Sequence, residues 1–259
     1  MSVPHLQPRI ALVTGAASGI GRGLALQLGA AGWQVAVTDL DAAAVDAVAS
    51  EIRDGGGRAS AHRVDVADAP SVAAAVAALP GPVALLVNAA GLQHVAPLES
   101  FDLARFRLLI DVMLTGAAIT SAAVLPGMRA AGRGRIVHVG SIHSLVASPY
   151  KSAYVAAKHG LVGLARTLAL ETADLDVTVN VVCPAYVRTP LVDNQIAAQA
   201  RERGITPEQV IEQVMLKPMP KRRFIEIEEI AATVEFLAGD AARNITGQCI
   251  TLDGGWTAQ

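Results

Sequence analysis

Apolar residues alternate along the whole chain between short continuous runs and longer amphipathic stretches, and these two patterns predict different elements. Runs rich in Val, Ile and Leu at 10–14, 34–39, 59–64, 84–88, 135–141, 177–183 and 248–252 are five to seven residues long and read as strands. The Ala-rich segments between them, beginning near Ile20, Ala42, Ser71, Phe101, Tyr150 and Ile227, carry apolar residues three and four apart and read as helices. Seven buried strands with intervening helices predict a doubly wound α/β fold, a parallel sheet with helices on both faces. No repeat, low-complexity tract or linker interrupts it, so one domain over 1–259 is expected; Gly55-Gly56-Gly57 reads as a helix end and turn. The alternation breaks once, between Thr189 and Arg223. Thr206-Pro207-Glu208 starts a helix with Pro in its first position, and Lys217-Pro218-Met219-Pro220 cannot stay helical. An insertion at about 190–223 over the carboxyl edge of the sheet, where such sheets bind ligands, predicts a lid.

Composition narrows the partner. Of 259 residues 52% are hydrophobic and only 3% aromatic, so the core is built from Ala, Val, Leu and Ile. A net charge of −2 gives no footprint for nucleic acid or an anionic membrane, and Lys221-Arg222-Arg223 is too short to change that. A small molecule is the expected partner. The two cysteines, Cys183 and Cys249, are too few for a disulfide scaffold and show no metal spacing; they read as ordinary buried thiols in a reducing cytosol. The N-terminus has no signal pattern and no apolar run approaching the ~20 residues of a membrane span, which predicts a soluble cytoplasmic protein without a membrane partner.

The first strand leads through Thr14-Gly15-Ala16-Ala17-Ser18-Gly19-Ile20-Gly21 into a helix. Such a glycine turn brings the backbone close to a pyrophosphate and seats it on the positive helix end. An acid, Asp39, closes the next strand, where a carboxylate accepts bonds from adenosine ribose hydroxyls and repels a 2′-phosphate. Neither Ser18 nor Leu40 supplies a compensating cation, and Arg22 belongs to the first helical turn, so NAD is favoured over NADP. The bland alternative for Asp39 is a helix cap or a plain strand-end acid. Asp65 with Val66 is expected at the adenine edge, and Asn88-Ala89-Ala90-Gly91 along the riboses.

Ser141, Tyr154 and Lys158 carry the candidate chemistry. A phenol titrates near ~10 and is a poor base unless its anion is stabilised. Lys158, one helical turn past Tyr154, places a cation on the same face and, with an oxidised nicotinamide nearby, is expected to lower the phenol. Tyr154 then trades a proton with a substrate alcohol whose oxygen Ser141 holds. A Tyr-x-x-x-Lys pair taken alone is equally compatible with an exposed amphipathic turn.

Thr14-Gly-x-x-x-Gly19-Ile-Gly21, Asn88-Ala-Ala-Gly91, Ser141 and Tyr154-x-x-x-Lys158, in that order across nearly the whole chain, resemble the short-chain dehydrogenase/reductase family. The resemblance implies a Rossmann fold and hydride transfer between a nicotinamide and an alcohol or carbonyl. It assigns the acid/base to Tyr154, nicotinamide ribose and the Tyr pKa to Lys158, and the substrate oxygen to Ser141. Pro184-Ala185-Tyr186-Val187-Arg188-Thr189 resembles the family's Pro-Gly segment, which puts Pro184, Val187 and Thr189 near the carboxamide. Two departures stand out: Met113 where the family has an Asn that anchors a relay water, and Ala185 for Gly. A thioether cannot donate the Asn bond, and Asp111, two residues away, points elsewhere.

Gln93, His94, His143, Lys151 and Gln195 surround this machinery, and a cation with amide and imidazole donors suits a small carboxylate. Each also has a bland reading as a solvated lysine, a loop histidine or surface glutamines. Together with 253–257 they resemble the branch of the family that oxidises D-3-hydroxybutyrate to acetoacetate. In that branch the residues matching Gln93, His143, Lys151 and Gln195 bind the carboxylate, and a Trp stands where this chain has Tyr186. The competing readings are a dehydrogenase for another secondary alcohol or longer 3-hydroxy acid, and a non-catalytic nucleotide-binding regulator. The same resemblance implies a homotetramer paired through 245–256.

Overall fold

The computed structural model describes residues 9–258. Residues 1–8 and 259 of the expected 1–259 domain, and with them the expectation about the N-terminus, lie outside the described residues. Strands β1 (Ile10–Thr14), β2 (Gln34–Asp39), β3 (Arg58–Arg63), β4 (Val83–Asn88), β5 (Arg133–Val139), β6 (Asp176–Pro184) and β7 (Cys249–Leu252) pair in parallel in the order β3-β2-β1-β4-β5-β6-β7. Chain order reverses between β1 and β4, which opens a crevice at their carboxyl ends. The helices are α1 (Gly19–Ala30), α2 (Ala42–Asp54), α3 (Ala69–Ala77), α4 (Leu103–Ile110), α5 (Gly116–Ala131), α6 (Ser152–Glu171), α7 (Pro190–Arg203), α8 (Pro207–Val210) and α9 (Ile227–Ala238). The expected doubly wound sheet is present.

The two-residue period of β1 shows how the layers form. Ala11 and Val13 pack with Leu24 and Leu28 of α1, Val45 of α2 and Ile230 of α9. Ile10 and Leu12 point the other way, to Val124 and Met128 of α5 and Val162 of α6. Only the edge strands escape double coverage: β3 reads Arg-Ala-Ser-Ala-His-Arg and contains no fully buried residue.

Two glycines shape the crevice. Gly15 adopts φ 65°, and a Cβ there would stand 2.6 Å from the Ala90 Cα; a Cβ on Gly21 would stand 2.2 Å from the Gly15 carbonyl oxygen. A side chain at Gly15 would push the end of β1 from that of β4, and one at Gly21 would push α1 from the turn after β1. The Thr14 hydroxyl accepts from the Ala89 and Ala90 amides at 3.1 and 3.2 Å, tying the end of β1 to that of β4.

One sequence expectation needs correction. The helical stretch Leu103–Ala131, which runs through α4, a π-helical turn at Asp111–Thr115 and α5, has 29 residues and a mean hydropathy of 2.0 in its most apolar window. By length and composition it could cross a membrane. Asp111 and the arginines at each end break the run to the eye, yet they occupy too few positions to lower the mean. In this fold the stretch packs on α3, β4, β5 and α6, and Leu109, Met113, Val124 and Met128 are among its buried positions.

Tyr150 has φ 65° although it is not glycine, and the residue is 59% exposed. Its carbonyl accepts from the Ala96 amide at 2.9 Å, which fixes the turn into α6. A bulky side chain in the left-handed region costs about 1–2 kcal/mol, whereas Asn tolerates it. Tyr150→Asn is therefore expected to raise stability by about 1 kcal/mol and the calorimetric Tm by about 2–4 °C. An unchanged or lower Tm would show that the ring makes up for its backbone.

Candidate functional site

A cleft of about 440 Å³ runs across the carboxyl ends of β1, β2 and β4. Its walls include Gly15, Ser18, Gly19, Ile20, Gly21, Asp39, Asp65, Val66 and Gly91, with Tyr154, Lys158 and Thr189 at its inner end. Asp39 is held in place, its Oδ2 accepting from the Ala17 amide at 3.1 Å and its Oδ1 from the Asp41 amide at 3.3 Å. The cap of α2 is Asp41, which accepts from the Ala44 amide, so the helix-cap alternative for Asp39 does not apply. Arg22 is engaged by Glu51, and Arg63 donates to the Leu40 carbonyl at 3.2 Å. The first turn of α1 carries no acidic residue, and Ser18 makes no side-chain cap. Close glycine backbone, uncapped helix amides and a positioned carboxylate fit a dinucleotide.

Asn88 departs from expectation. Ala89, Ala90 and Gly91 line the cleft, but the Asn88 amide turns inward and donates to His138 Nδ1 at 3.1 Å, while its Oδ1 accepts from Thr120 at 2.7 Å. It sits at the end of β4, where alternation sends its side chain under the sheet edge. His138 lies wholly buried against it, its Nε2 without a hydrogen-bond partner, and burial with the nearby Lys158 charge holds its pKa down at about 4.

A second pocket of about 90 Å³ adjoins the cleft; Ile20, Gly140, Tyr154, Thr189 and Leu191 border both. Gln93, Ser141, His143, Lys151, Tyr186 and Gln195 all line it, as do Pro184 and Val187. The residues singled out from sequence thus converge from the β4, β5 and β6 ends and from α6 and α7. His94 does not join them: its ring meets Phe101 edge-on at 5.0 Å. Ala185 has no left-handed backbone and carries no strain from replacing glycine.

Beyond β5 the chain turns through residues 142–144, with the Ser141 hydroxyl accepting from the His143 amide at 3.1 Å and the Ser144 hydroxyl from the Ser141 amide at 3.2 Å. This reciprocal cap aims Ser141 at α6. Tyr154 and Lys158 lie one turn apart there, and the Lys158 ammonium stands 5.6 Å from the Tyr154 ring centre and donates to the Val139 carbonyl at 2.7 Å. Burial lowers the Lys158 pKa to about 8. Without a nicotinamide beside it, Tyr154 has its pKa raised above the ordinary phenol value by burial, and the hydrogen bond with Ser141 pulls it back. In the protein by itself, desolvation of the phenolate outweighs the neighbouring cation.

Lys151 is 8% exposed, and among the described residues neither it nor Lys158 has an ion-pair partner. Its ammonium lies 3.4 Å from His143 Nε2 and 5.8 Å from the Tyr186 ring centre. His143 Nδ1 lies 3.3 Å from the Val146 carbonyl, which can only accept, so Nδ1 carries the proton and Nε2 faces Lys151 as an acceptor. Burial first, then the Lys151 charge, lowers the His143 pKa to about 4, and burial lowers that of Lys151. Lys151, a buried cation without a counter-charge, makes this pocket a place for an anion, with Lys158 in the adjoining cleft.

Sequence reasoning did not place Trp256 here. Its ring stacks on Tyr186 at 6.0 Å and meets His143 edge-on at 6.1 Å. Gly254 and Gly255, at φ 59° and 91°, turn the tail after β7 back over the pocket. The Gly-Gly-Trp run was the available signal, but its direction depends on two glycine torsions that no periodicity reports. Met113 is buried and, with Lys158, lines a small internal cavity, whereas Asp111 is exposed, as its spacing implied.

The sequence pattern described as short chain dehydrogenase matches residues 9–200. A D-beta-hydroxybutyrate dehydrogenase of Rhizobium meliloti is 44% identical over 256 residues, 97% of this chain and 99% of that protein. Another of that name from Cupriavidus necator is 42% identical, covering 98% and 100%. Among solved structures, an actinorhodin polyketide ketoreductase with NADPH superposes with a TM-score of 0.93 at 32% identity, over 97% and 98% of the two chains.

Proposed function

The chain belongs to the short-chain dehydrogenase family and is an oxidoreductase of that family; from this premise we propose that it interconverts D-3-hydroxybutyrate and acetoacetate with NAD. The observation that carries the substrate is Lys151, a buried cation without an ion pair, set beside Gln93, His143 and Gln195 in a pocket of about 90 Å³ next to the acid/base. A larger or uncharged alcohol leaves that cation uncompensated. The likeness to two D-beta-hydroxybutyrate dehydrogenases over nearly their full length supports the same reading.

In the proposed reaction the substrate carboxylate lies against Lys151, with Gln93 and Gln195 donating to its remaining lone pairs. Tyr186, with the Trp256 ring stacked on it, encloses the methyl end. Tyr154 takes the hydroxyl proton in oxidation and returns it in reduction, while Ser141 holds the same oxygen as it becomes a carbonyl. The nicotinamide, when bound, accepts or supplies the hydride. Lys158 holds the nicotinamide ribose and offers the nearest cation to the developing phenolate. Residues 190–223, which bring Leu191, Val192 and Gln195 to the pocket, act as the lid that excludes water.

Asp39 sets the cofactor. Its carboxylate faces the cleft, and the nearby cations Arg22 and Arg63 are occupied. A like charge at intermediate dielectric costs about 2–3 kcal/mol, so Asp39→Ser is expected to narrow the ratio of kcat/KM for NAD over NADP by roughly 10²-fold. A ratio left within twofold would remove Asp39 from cofactor choice. The substrate is tested by chain length: kcat/KM should fall steeply from the four-carbon to the six-carbon D-3-hydroxy acid. A flat or rising series would instead assign a longer acid, with Tyr186 as the residue that admits it.

A further inference from the structure

Both nitrogens of the His143 ring are engaged by the protein itself: Nδ1 by the Val146 carbonyl at 3.3 Å and Nε2 by the Lys151 ammonium at 3.4 Å. A carbonyl only accepts and an ammonium only donates. Between them the two partners select one neutral tautomer, with the proton on Nδ1 and a bare Nε2. From sequence His143 is expected to bind the carboxylate, yet a ring in that state has no proton to offer an anion through Nε2. Its geometry suits another task.

The ring is fixed from several directions. His143 is buried in the turn at Ile142–Ser144, and its amide donates to the Ser141 hydroxyl at 3.1 Å. The Leu145 and Val146 amides both return to the Ile142 carbonyl, at 3.0 and 3.1 Å, so the Val146 carbonyl that holds Nδ1 belongs to the same folded segment. Tyr154 and Trp256 meet the ring edge-on at 6.2 and 6.1 Å. Lys151 is its opposite in character. It carries a flexible four-carbon stem whose rotamer freedom must be given up for the ammonium to sit in one place. It stands at the start of α6 without a side-chain capping bond, and among the described residues it has no ion pair. A rigid acceptor thus faces a flexible donor, and one of the three ammonium protons goes to Nε2 while two remain for the pocket.

We propose that His143 is a positioning residue: as a neutral acceptor it aims the Lys151 ammonium into the pocket, and it makes no bond of its own to the substrate carboxylate. This rests on the reading of Lys151 as the partner of that carboxylate and says how the cation is held. The titratable groups acting on the ring are Lys151 at the start of α6, His159 farther along it and the Tyr154 phenol edge-on, and among the described residues no acid forms an ion pair with it. Nothing there favours an imidazolium. The arrangement also links the two ends of the substrate. Ser141, which holds the reacting oxygen, and His143, which sets Lys151, belong to one turn closed by the reciprocal bonds of Ser141 and Ser144. That turn fixes the separation between the reacting oxygen and the carboxylate.

Nitrogen NMR of the intact protein, labelled at its six histidines and with His143 assigned through His143→Gln, tests the tautomer without any substrate. The expected result is a neutral ring protonated at Nδ1 between about pH 5.5 and 7.5, with an Nε2 signal that shifts when Lys151→Met removes its donor. An imidazolium or an Nε2-protonated ring in that range would overturn the positioning role whatever the substrate is. A double-mutant cycle on KM for D-3-hydroxybutyrate then tests the route. His143→Phe keeps a ring against Tyr154 and Trp256 but removes the acceptor, so KM should rise about 5–10-fold with kcat changed by no more than about threefold. His143→Gln, whose amide oxygen can again face the ammonium, should recover most of that loss. In the Lys151→Met protein His143→Phe should change KM by less than about twofold, because no cation is left to aim. An equal rise in both backgrounds would show that His143 meets the carboxylate itself and would overturn the proposal. The expected tautomer and Nε2 shift without turnover of D-3-hydroxybutyrate would support the pairing of His143 with Lys151 and contradict the substrate alone.

Discussion

Replacing Tyr154 with Phe should lower turnover by about 10³–10⁴-fold while leaving cofactor dissociation within about twofold. The phenol sits where the cleft meets the small pocket, bonded to Ser141, and among the described residues no other acid or base lines both spaces. Phenylalanine keeps what the ring does for packing. It retains the edge-on contact with His143 at 6.2 Å and the face turned to the Lys158 ammonium at 5.6 Å. Only the proton is removed. The pH dependence follows from the raised phenol pKa. Reduction uses the protonated phenol, which is fully present at neutral pH, so its rate should be flat there. Oxidation draws on the deprotonated form, which grows as pH rises toward the raised pKa, so its rate should climb through pH ~7–9. A Phe variant that keeps more than a tenth of wild-type turnover would show that another group moves the proton.

Replacing Lys151 with Met should raise KM for D-3-hydroxybutyrate by about 10–10²-fold and change kcat by no more than a few-fold. Met keeps the apolar stem in a site that is 8% exposed but removes a charged hydrogen bond to a carboxylate worth about 1.5–3 kcal/mol. His143 cannot take over, because its pKa near 4 leaves it neutral at the working pH. For the same reason KM of the wild-type enzyme should show no histidine inflection between about pH 5.5 and 7.5. The contrast between the two variants separates binding from chemistry: Lys151→Met acts on KM, and Tyr154→Phe acts on kcat. An unchanged KM in the Lys151 variant would remove the carboxylate from this pocket.

The parts of this protein that obey a period were legible in its sequence. Alternation placed all seven strands to within about two residues, and the Gly15 to Gly21 turn with Asp39 at the next strand end located the cleft before any contact was known. Residues whose behaviour depends on desolvation or on a single torsion were not legible. The Tyr154 pKa rises because burial outweighs a cation, and only the packing around α6 reveals that balance. Asn88 turns under the sheet because His138 and Thr120 wait there, fifty and thirty-two residues away. Trp256 reaches the pocket through the torsions of two glycines, and the long helix through Leu103–Ala131 hides its apolar length behind a few charges. Cys183 and Cys249 read as ordinary buried thiols; Cys183 on β6 is buried, whereas Cys249 on β7 is partly exposed.

In the proposed function, the segment from Ser141 to Lys158 couples proton transfer at Tyr154 to recognition of a small carboxylate at Lys151. It is tested most directly by initial rates of NAD reduction, followed by the absorbance of the reduced nicotinamide, with D-3-hydroxybutyrate and separately with its L isomer. Rapid reduction with the D isomer and at least about a hundredfold slower reduction with the L isomer is the predicted result, since a carboxylate fixed at one end leaves one face of the carbinol carbon toward the cofactor. No reduction with either isomer, alongside turnover of an uncharged secondary alcohol, would contradict it.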